Sequence, residues 1–526
     1  MKLSNTLKKV EARIDVFAKR LNSKWLTFAV MVIPLAVAFI MPLVLWGKTI
    51  FAFIPNSSDE VTYWREINTY VDYGFGGGQY SNDELIAAFT SSHFGTHGPA
   101  FAITYGTIGK LIGWQGYTPV IINFSILALA ILISVRTVRP NNKQLLVLLV
   151  LLVTWWPLQL YLTSNMQEAL HSSAAILLAA LFYRLFSDEK GRFRYTVYIA
   201  LLLIFLVSFR YIWALLLFPA ILFPMRPNLK SWVGAMVGTG VLLAAGAWFV
   251  TTFYSPSPWF WTSLIETFMV SKSAALAEFQ QHFVESLQNF VSFDKGLPLV
   301  IVLRYQVLGI LIASGIRLIR PISTKSRNKT DNATTLWFTL FTVGSVLTFV
   351  LFFYDVLDTR DYRMLVGPLL LSIMLLVFVE KLNFVYPIIA MNLISVVFFI
   401  SYYPSFRTLN FDYDPDVLLE TSVSINSNIQ FEPLGDRWCN TISISKYGEF
   451  NAFSYPLTAV HSGFGTTTIL EWKQFLDRPL QAKYVILDPE YSEPGFGNPV
   501  NHFDLIEITP TPIGTLFLNP HSACDN

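Results

Sequence analysis

Trp25–Trp46 is an apolar run without a single charge. It is long enough to cross a bilayer, whose core of about 30 Å takes about 20 residues of helix. Ten more such runs follow it: Thr118–Val135, Leu145–Leu162, Met166–Phe186, Tyr195–Ser208, Tyr211–Phe223, Val233–Phe253, Leu297–Ile316, Leu336–Phe353, Met364–Val379 and Phe384–Tyr403. The two runs flanking Arg210 are short, and one broken helix there would change the count by one. Only 14% of the chain is charged and 53% is hydrophobic, where a soluble domain carries roughly 25% charged residues. The expected fold class is therefore mainly α, a polytopic membrane protein of about eleven transmembrane helices. Trp25–Trp46 is too long for a signal-peptide core and has no small-residue cleavage site, so it reads as a retained span.

The net charge of +2 matters less than where the charges lie. Arg136, Arg139 and Lys143 share one loop. Lys190, Arg192 and Arg194 lie two spans later, Arg226 and Lys230 two after that, and Arg317, Arg320, Lys325, Arg327 and Lys329 fill the next alternate loop. With the basic N-terminus, all of them fall on one side, which the positive-inside rule makes cytoplasmic. The expected location is a bacterial-type inner membrane, with the N-terminus inside and, after an odd number of spans, the C-terminus outside. The outer side then holds the long loops, above all 47–117, and the tail from Pro404. Pro99 to Trp114 is apolar but short, and reads as a helix in the interface.

The organisation expected is a transmembrane domain over 1–403 and an extracytoplasmic domain over 404–526. The tail has 15 acidic against 6 basic residues. Tyr484–Leu487 and Thr515–Leu518 are strand-like, and a helical stretch near Leu470 to Leu476 precedes the first, so the tail reads as a small α/β unit. The chain's two cysteines, Cys439 and Cys524, both fall there. An oxidising compartment favours a disulfide between them over two unpaired thiols.

Acids come directly after the first span, in Ser57-Ser58-Asp59-Glu60. Val61, Trp64, Ile67, Tyr70 and Val71 follow at helical spacing, so the segment can lie on the membrane surface. Ser57 and Glu60 have the spacing of a capping box, which accounts for Glu60 but not for Asp59. Glu168 opens the fourth span at its outer end, either reaching for water or held for function.

An Asp59-Glu60 pair in a long outer loop resembles the GT-C glycosyltransferase superfamily. That group includes protein O-mannosyltransferases, aminoarabinose transferases acting on lipid A, and oligosaccharyltransferases. The same loop ends in His93-Phe94-Gly95-Thr96-His97-Gly98-Pro99. This resembles the His/Lys-Pro-Pro element before a juxtamembrane helix in that group, with Gly98 in place of the first proline. Tyr362-Arg363 followed by Pro368 is similar to its Arg-Tyr…Pro pattern with the first two residues exchanged. The resemblance implies a polyprenyl-phosphate-linked sugar donor and catalysis at the outer face, with Asp59, Glu60 and Glu168 as catalytic acids.

Guanidinium groups suit phosphate. Arg210, Arg304, Arg360 and Arg363 are candidates to bind it, with Lys272, His93 and His97 as further substrate contacts. Arg360 and Arg363 could instead pair with Asp355, Asp358 or Asp361 and shape a turn. The loop with Lys272, His282 and Glu285 reads equally as a lid or as surface packing. A divalent metal is left open, with Asp59, Glu60 and Glu168 as its ligands if one binds. The acceptor is a lipid, a glycan or a protein. Membrane lipids are partners and nucleic acid is not. Two other readings stay open: a polysaccharide polymerase or ligase, and a lipid-linked sugar transporter or flippase.

Overall fold

The computed structural model describes residues 15–52, 55, 58–75, 80–81, 91–92, 94, 98–223, 228–253, 264, 267–293, 296–319, 329–353, 362–408, 415–432, 436, 438–445, 460–469, 480–488 and 499–525. The helices are α1 (Ser23–Trp46), α2 (Ser58–Tyr73), α3 (Ala100–Ile112), α4 (Thr118–Val138), α5 (Asn142–Thr154), α6 (Trp156–Leu162), α7 (Glu168–Ser187) and α8 (Arg192–Val207). A 3-10 turn, Tyr211–Leu216, then leads into α9 (Leu217–Leu222). There follow α10 (Leu229–Phe253), α11 (Lys272–Val291), α12 (Pro298–Ile319), α13 (Lys329–Phe353), α14 (Tyr362–Phe378), α15 (Leu382–Thr408) and α16 (Pro415–Asn426).

Local sequence sets many of these ends. The Asn22 side chain accepts from the amides of Lys24 and Trp25, and Gly47 closes α1 at φ 73°, a backbone that glycine adopts without strain. Asn141 and Gln144 form a reciprocal capping box that starts α5. Pro157 at the start of α6 suits a helix start and ends the preceding one. There α5 and α6 meet at a bend of 61°.

The eleven long apolar runs named above all fall on helices. Among the described residues, seven helices are long and apolar enough to cross a membrane: α1, α4, α7, α10, α12, α13 and α15; α5 and α6 together make an eighth if the bent pair is one span. The chain is a multi-pass membrane protein. α8, the segment Tyr211–Leu222 and α14 are shorter, so length and composition give fewer crossings than the eleven expected. α14 is short without exposing its ends, because Leu365 to Phe378 are all buried. Pro99–Trp114 contains the short α3, which packs against α2 through Tyr63 and Phe101, with ring centroids 5.0 Å apart. The last membrane helix, α15, runs past Tyr403 to Thr408.

The middle of the bundle is α7. Of its apolar window 78% is buried, against 28% for α1 and 22% for α10. Its alanines and serines let α4 and α14 come close. Gly367 of α14 lies where a Cβ would stand 2.8 Å from the Trp213 ring. On the other flank, a Cβ at Gly246 of α10 would overlap Val207 and stand 3.1 Å from the Tyr211 Cβ. Gly246→Ala is therefore expected to destabilise the bundle by about 1–3 kcal/mol, seen as a lower thermal midpoint in detergent.

Beyond the membrane helices lies a five-stranded mixed sheet. β3 (Thr441–Ser445), β4 (Gly465–Ile469), β5 (Tyr484–Leu487), β6 (Ile506–Thr511) and β7 (Gly514–Leu518) are ordered β4-β3-β5-β7-β6, numbered after a two-stranded ribbon, β1 (Tyr80–Ser81) with β2 (Ser91–Ser92). β3 runs parallel to β4 and β5, and β7 antiparallel to β5 and β6. The unbroken apolar run of β5 follows from its central place. Tyr484 and Ile486 face one core, and Val485 and Leu487 face another. Cys439 is bonded to Cys524, with Cα atoms 4.6 Å apart. The stretch Leu470 to Leu476 lies outside the described residues.

The turn 460–464 before β4 sits on α2. Arg65 donates to the carbonyls of Val460 at 2.8 Å, His461 at 2.6 Å and Phe464. Thr69 donates to the Ser462 carbonyl, and the Ser462 hydroxyl donates to Asp72. Tyr73 packs on Phe431 with centroids 4.6 Å apart, and its hydroxyl is 3.3 Å from His461. α2 therefore has no wet face along this side: Arg65, Glu66 and Thr69 are buried. The His461 imidazole is held below its ordinary value, about 6.5, first by burial and then by the charge of Arg65, with Asp72 opposing. A lowered value in the docked state means that the released turn takes up the proton more readily. The dock is expected to be firm above about pH 6.5 and to loosen as pH falls below it, read as faster hydrogen exchange in α2.

Candidate functional site

Between α6 and α7 the backbone leaves the helical path over 163–167, and the turn is enclosed: Thr163, Ser164, Asn165 and Gln167 are all buried. Irregular backbone among membrane helices is tolerated only inside protein or lining a cavity. Asn123 of α4 donates to the Ser164 carbonyl at 2.8 Å and accepts from the Tyr105 hydroxyl at 2.6 Å. The Thr163 hydroxyl lies 3.3 Å from that of Tyr403. The Glu60 carboxylate, 3% exposed, accepts from the Asn165 amide at 2.8 Å, and Asn165 Nδ2 donates to the Glu60 carbonyl at 3.3 Å. The start of α2 is thereby tied to the mouth of α7.

Glu168 stands in the first turn of α7, where the helix dipole favours an acid. It is 1% exposed and paired with Arg210. Arg363 Nε lies 3.9 Å from the same oxygen, and Arg210 Nη1 donates to the Arg363 carbonyl at 3.1 Å. The break between α8 and the 3-10 turn makes this possible. Arg210 is extended there, at φ −146° and ψ 108°, so its side chain turns inward across α7. A buried charge needs this much pairing to be tolerated. Two guanidiniums thus share one buried carboxylate.

Around it lie buried polar atoms without a partner among the described residues: both ends of the Gln167 amide, Glu168 Oε2, Ser172 Oγ and Arg210 Nε. Such atoms are rare in a finished core and mark where a ligand or water is accommodated. One turn deeper, His171 Nδ1 accepts from Trp213 Nε1 at 3.0 Å, which puts the ring proton on Nε2. Nε2 also has no partner among the described residues. The Tyr161 and Tyr362 hydroxyls are hydrogen-bonded to each other beside Glu168 and Arg363.

Of the residues singled out from sequence, Glu60, Glu168, Arg210 and Arg363 converge here. Asp59 lies in the first turn of α2, next to Glu60. Arg304 is buried and reaches α11: it donates to the Asn289 carbonyl at 3.1 Å, and its guanidinium is 5.9 Å from the centre of the Phe290 ring. Lys272, at the start of α11, is exposed and stands over the Phe268 ring. α11 packs on α13 through Phe279, Phe283 and Phe352. His93, His97, Arg360 and Ser57 lie outside the described residues. Asn165, His171, Tyr161 and Tyr362 escaped sequence reasoning as site residues. The signals available were a polar triplet, Thr163 to Asn165, between two apolar runs, and a histidine three residues after Glu168.

Glu168 does not fit a metal ligand, because a cation at its carboxylate would face the Arg210 and Arg363 guanidiniums. The metal-ligating types that cluster closely among the described residues are Glu432, Cys439 and Cys524. That group does not fit either, since the two sulfurs are bonded to each other.

A bundle of this kind with a small sheet domain at its end has the fold of a solved membrane oligosaccharyltransferase. Among the solved structures it resembles are those of the oligosaccharyltransferase of Archaeoglobus fulgidus. The apo form superposes with a TM-score of 0.50 at 11% identity, over 96% of this chain and 75% of that one. The form tethered with an acceptor peptide containing the NVT sequon gives 0.49 at 12% identity, over 94% and 74%. The complex with an inhibitory peptide and a dolichol-phosphate gives 0.47 at 11%, over 94% and 74%. At such identity the likeness is one of fold. No family model and no curated protein matches the chain.

Proposed function

We propose that this protein is a membrane glycosyltransferase that moves a sugar from a polyprenyl-phosphate carrier to a hydroxyl of a lipid, glycan or protein acceptor. The observation that carries the reading is the meeting of two distant loops. Glu60 is bonded to Asn165, and three residues further on Glu168 is gripped by Arg210 and Arg363. An acid-bearing helix and a pair of arginines thus share one buried neighbourhood.

In this reading Asp59 takes the proton of the acceptor hydroxyl as general base. The acceptor oxygen bonds to the anomeric carbon as the bond from that carbon to the phosphate oxygen breaks. The electron pair leaves on the phosphate, whose charge Arg210 and Arg363 stabilise through charge-assisted hydrogen bonds. Glu168 holds the two arginines apart and aimed. Glu60 fixes the start of α2 against the 163–167 turn. Arg360, His93 and His97 are candidates for the carrier phosphate and the sugar, and Arg304 and Lys272 for a contact reached through α11. The site lies at the outer membrane face, in a chain of eleven crossings with its N-terminus in the cytoplasm and its sheet domain outside.

Mass spectrometry of envelope glycans and lipids, with and without the gene, tests the reading. Loss of a glycan and build-up of its lipid-linked precursor are expected. Identical profiles would refute it.

A further inference from the structure

α2 is attached at both ends, to different parts of the molecule. Near its start Glu60 holds the Asn165 amide. Further along, Arg65, Thr69, Asp72 and Tyr73, spaced i, i+4, i+7 and i+8 and so on one face, all engage the turn 460–464 of the sheet domain or Phe431 beside it. Arg65 is the centre of this face. It is 1% exposed, and its fork spans three carbonyls of one turn. A guanidinium has five donors in fixed directions and no acceptor. It can therefore satisfy itself on carbonyls only where the turn has one particular shape. Gly463 permits that shape, because a Cβ there would run into the Phe431 ring. A helix rises about 1.5 Å per residue, so Arg65 lies only about 7.5 Å from Glu60 along the axis. Over that length the helix transmits position as a rigid strut.

We propose that Arg65 is a positioning residue: by clasping the carbonyls of Val460, His461 and Phe464, it makes the sheet domain the outer anchor that sets where the Asp59–Glu60 end of α2 stands against Glu168. The catalytic consequence rests on the glycosyltransferase reading above, while the clasp itself does not. It gives the sheet domain a task within the transfer reaction, besides whatever it does for an acceptor.

The test uses the full-length protein in nanodiscs, with polyprenyl-phosphate-linked sugars extracted from the source cells as donor. Arg65→Gln removes the fork and Arg65→Lys is the milder variant. Hydrogen exchange is followed in α2, in the turn 460–464 and, as a control for the fold, in α7. The expected result is faster exchange in α2 and the turn with α7 unchanged. With it, kcat falls by about 10²-fold, as a displacement near 1 Å can produce, and KM for the donor stays within about twofold, with Arg65→Lys between wild type and Arg65→Gln. Unchanged exchange in α2 overturns the clasp. Faster exchange with unchanged kcat overturns the positioning role, as does a rise in KM alone. If the wild type transfers no sugar, the glycosyltransferase reading fails instead, and the exchange experiment still decides whether Arg65 docks the sheet domain.

Discussion

Asp59→Asn is expected to lower sugar transfer by about 10²- to 10⁴-fold, the contribution of a well-placed general base, while expression, thermal midpoint and donor binding stay at wild-type levels. The exchange is isosteric and lies in the first turn of α2, where losing the acid's interaction with the helix dipole costs only about 0.3–1 kcal/mol. Loss of activity with intact folding therefore isolates the proton-accepting role. The measurement is single-turnover transfer from a lipid-linked donor. Transfer at the wild-type rate would remove Asp59 from the mechanism and shift the base to another group of the first outer loop.

The second large effect belongs to the buried pair. Glu168→Ala leaves Arg210 and Arg363 facing each other across an enclosed turn without their carboxylate. Stranding a buried charge typically destabilises by about 3–5 kcal/mol. Arg210→Ala strands Glu168 in the same way. The double variant is expected to be less destabilised than the sum of the two, because each single change includes the same orphaned-charge penalty. Thermal unfolding of the four proteins in one detergent gives the cycle. An additive result would mean that Glu168 and Arg210 are held by their surroundings and not by each other. Activity is expected to vanish in all three variants.

The helices were legible in the sequence because apolar length and helix signals such as Asn22, Gly47 and the Asn141–Gln144 box act locally. The bend at Trp155 was visible in principle, since Pro157 cannot continue the preceding helix. Glu168 and Arg210 stood out because ionisable groups among membrane helices need a cause. Their pairing did not stand out, because 42 residues and a helix break separate them. Asn165 and His171 are ordinary residues whose importance arises only when α2, α7 and the Arg210 break meet. Arg65 was hidden most deeply. The apolar stripe of α2 at Val61, Ile67 and Tyr70 was evident, but the partner of its polar side lies 395 residues further along the chain.

The enclosure of α7 also bears on how the protein is made. Its apolar window has a mean hydropathy of 1.5, against 2.7 for α1, and it opens with Glu168, His171, Ser172 and Ser173. A segment of that make-up partitions into lipid less readily than α1 does. Its stay in the bilayer depends on α4 emerging before it and on α14 arriving nearly two hundred residues later. During synthesis α7 is thus expected to stay beside α4 until its late partner emerges.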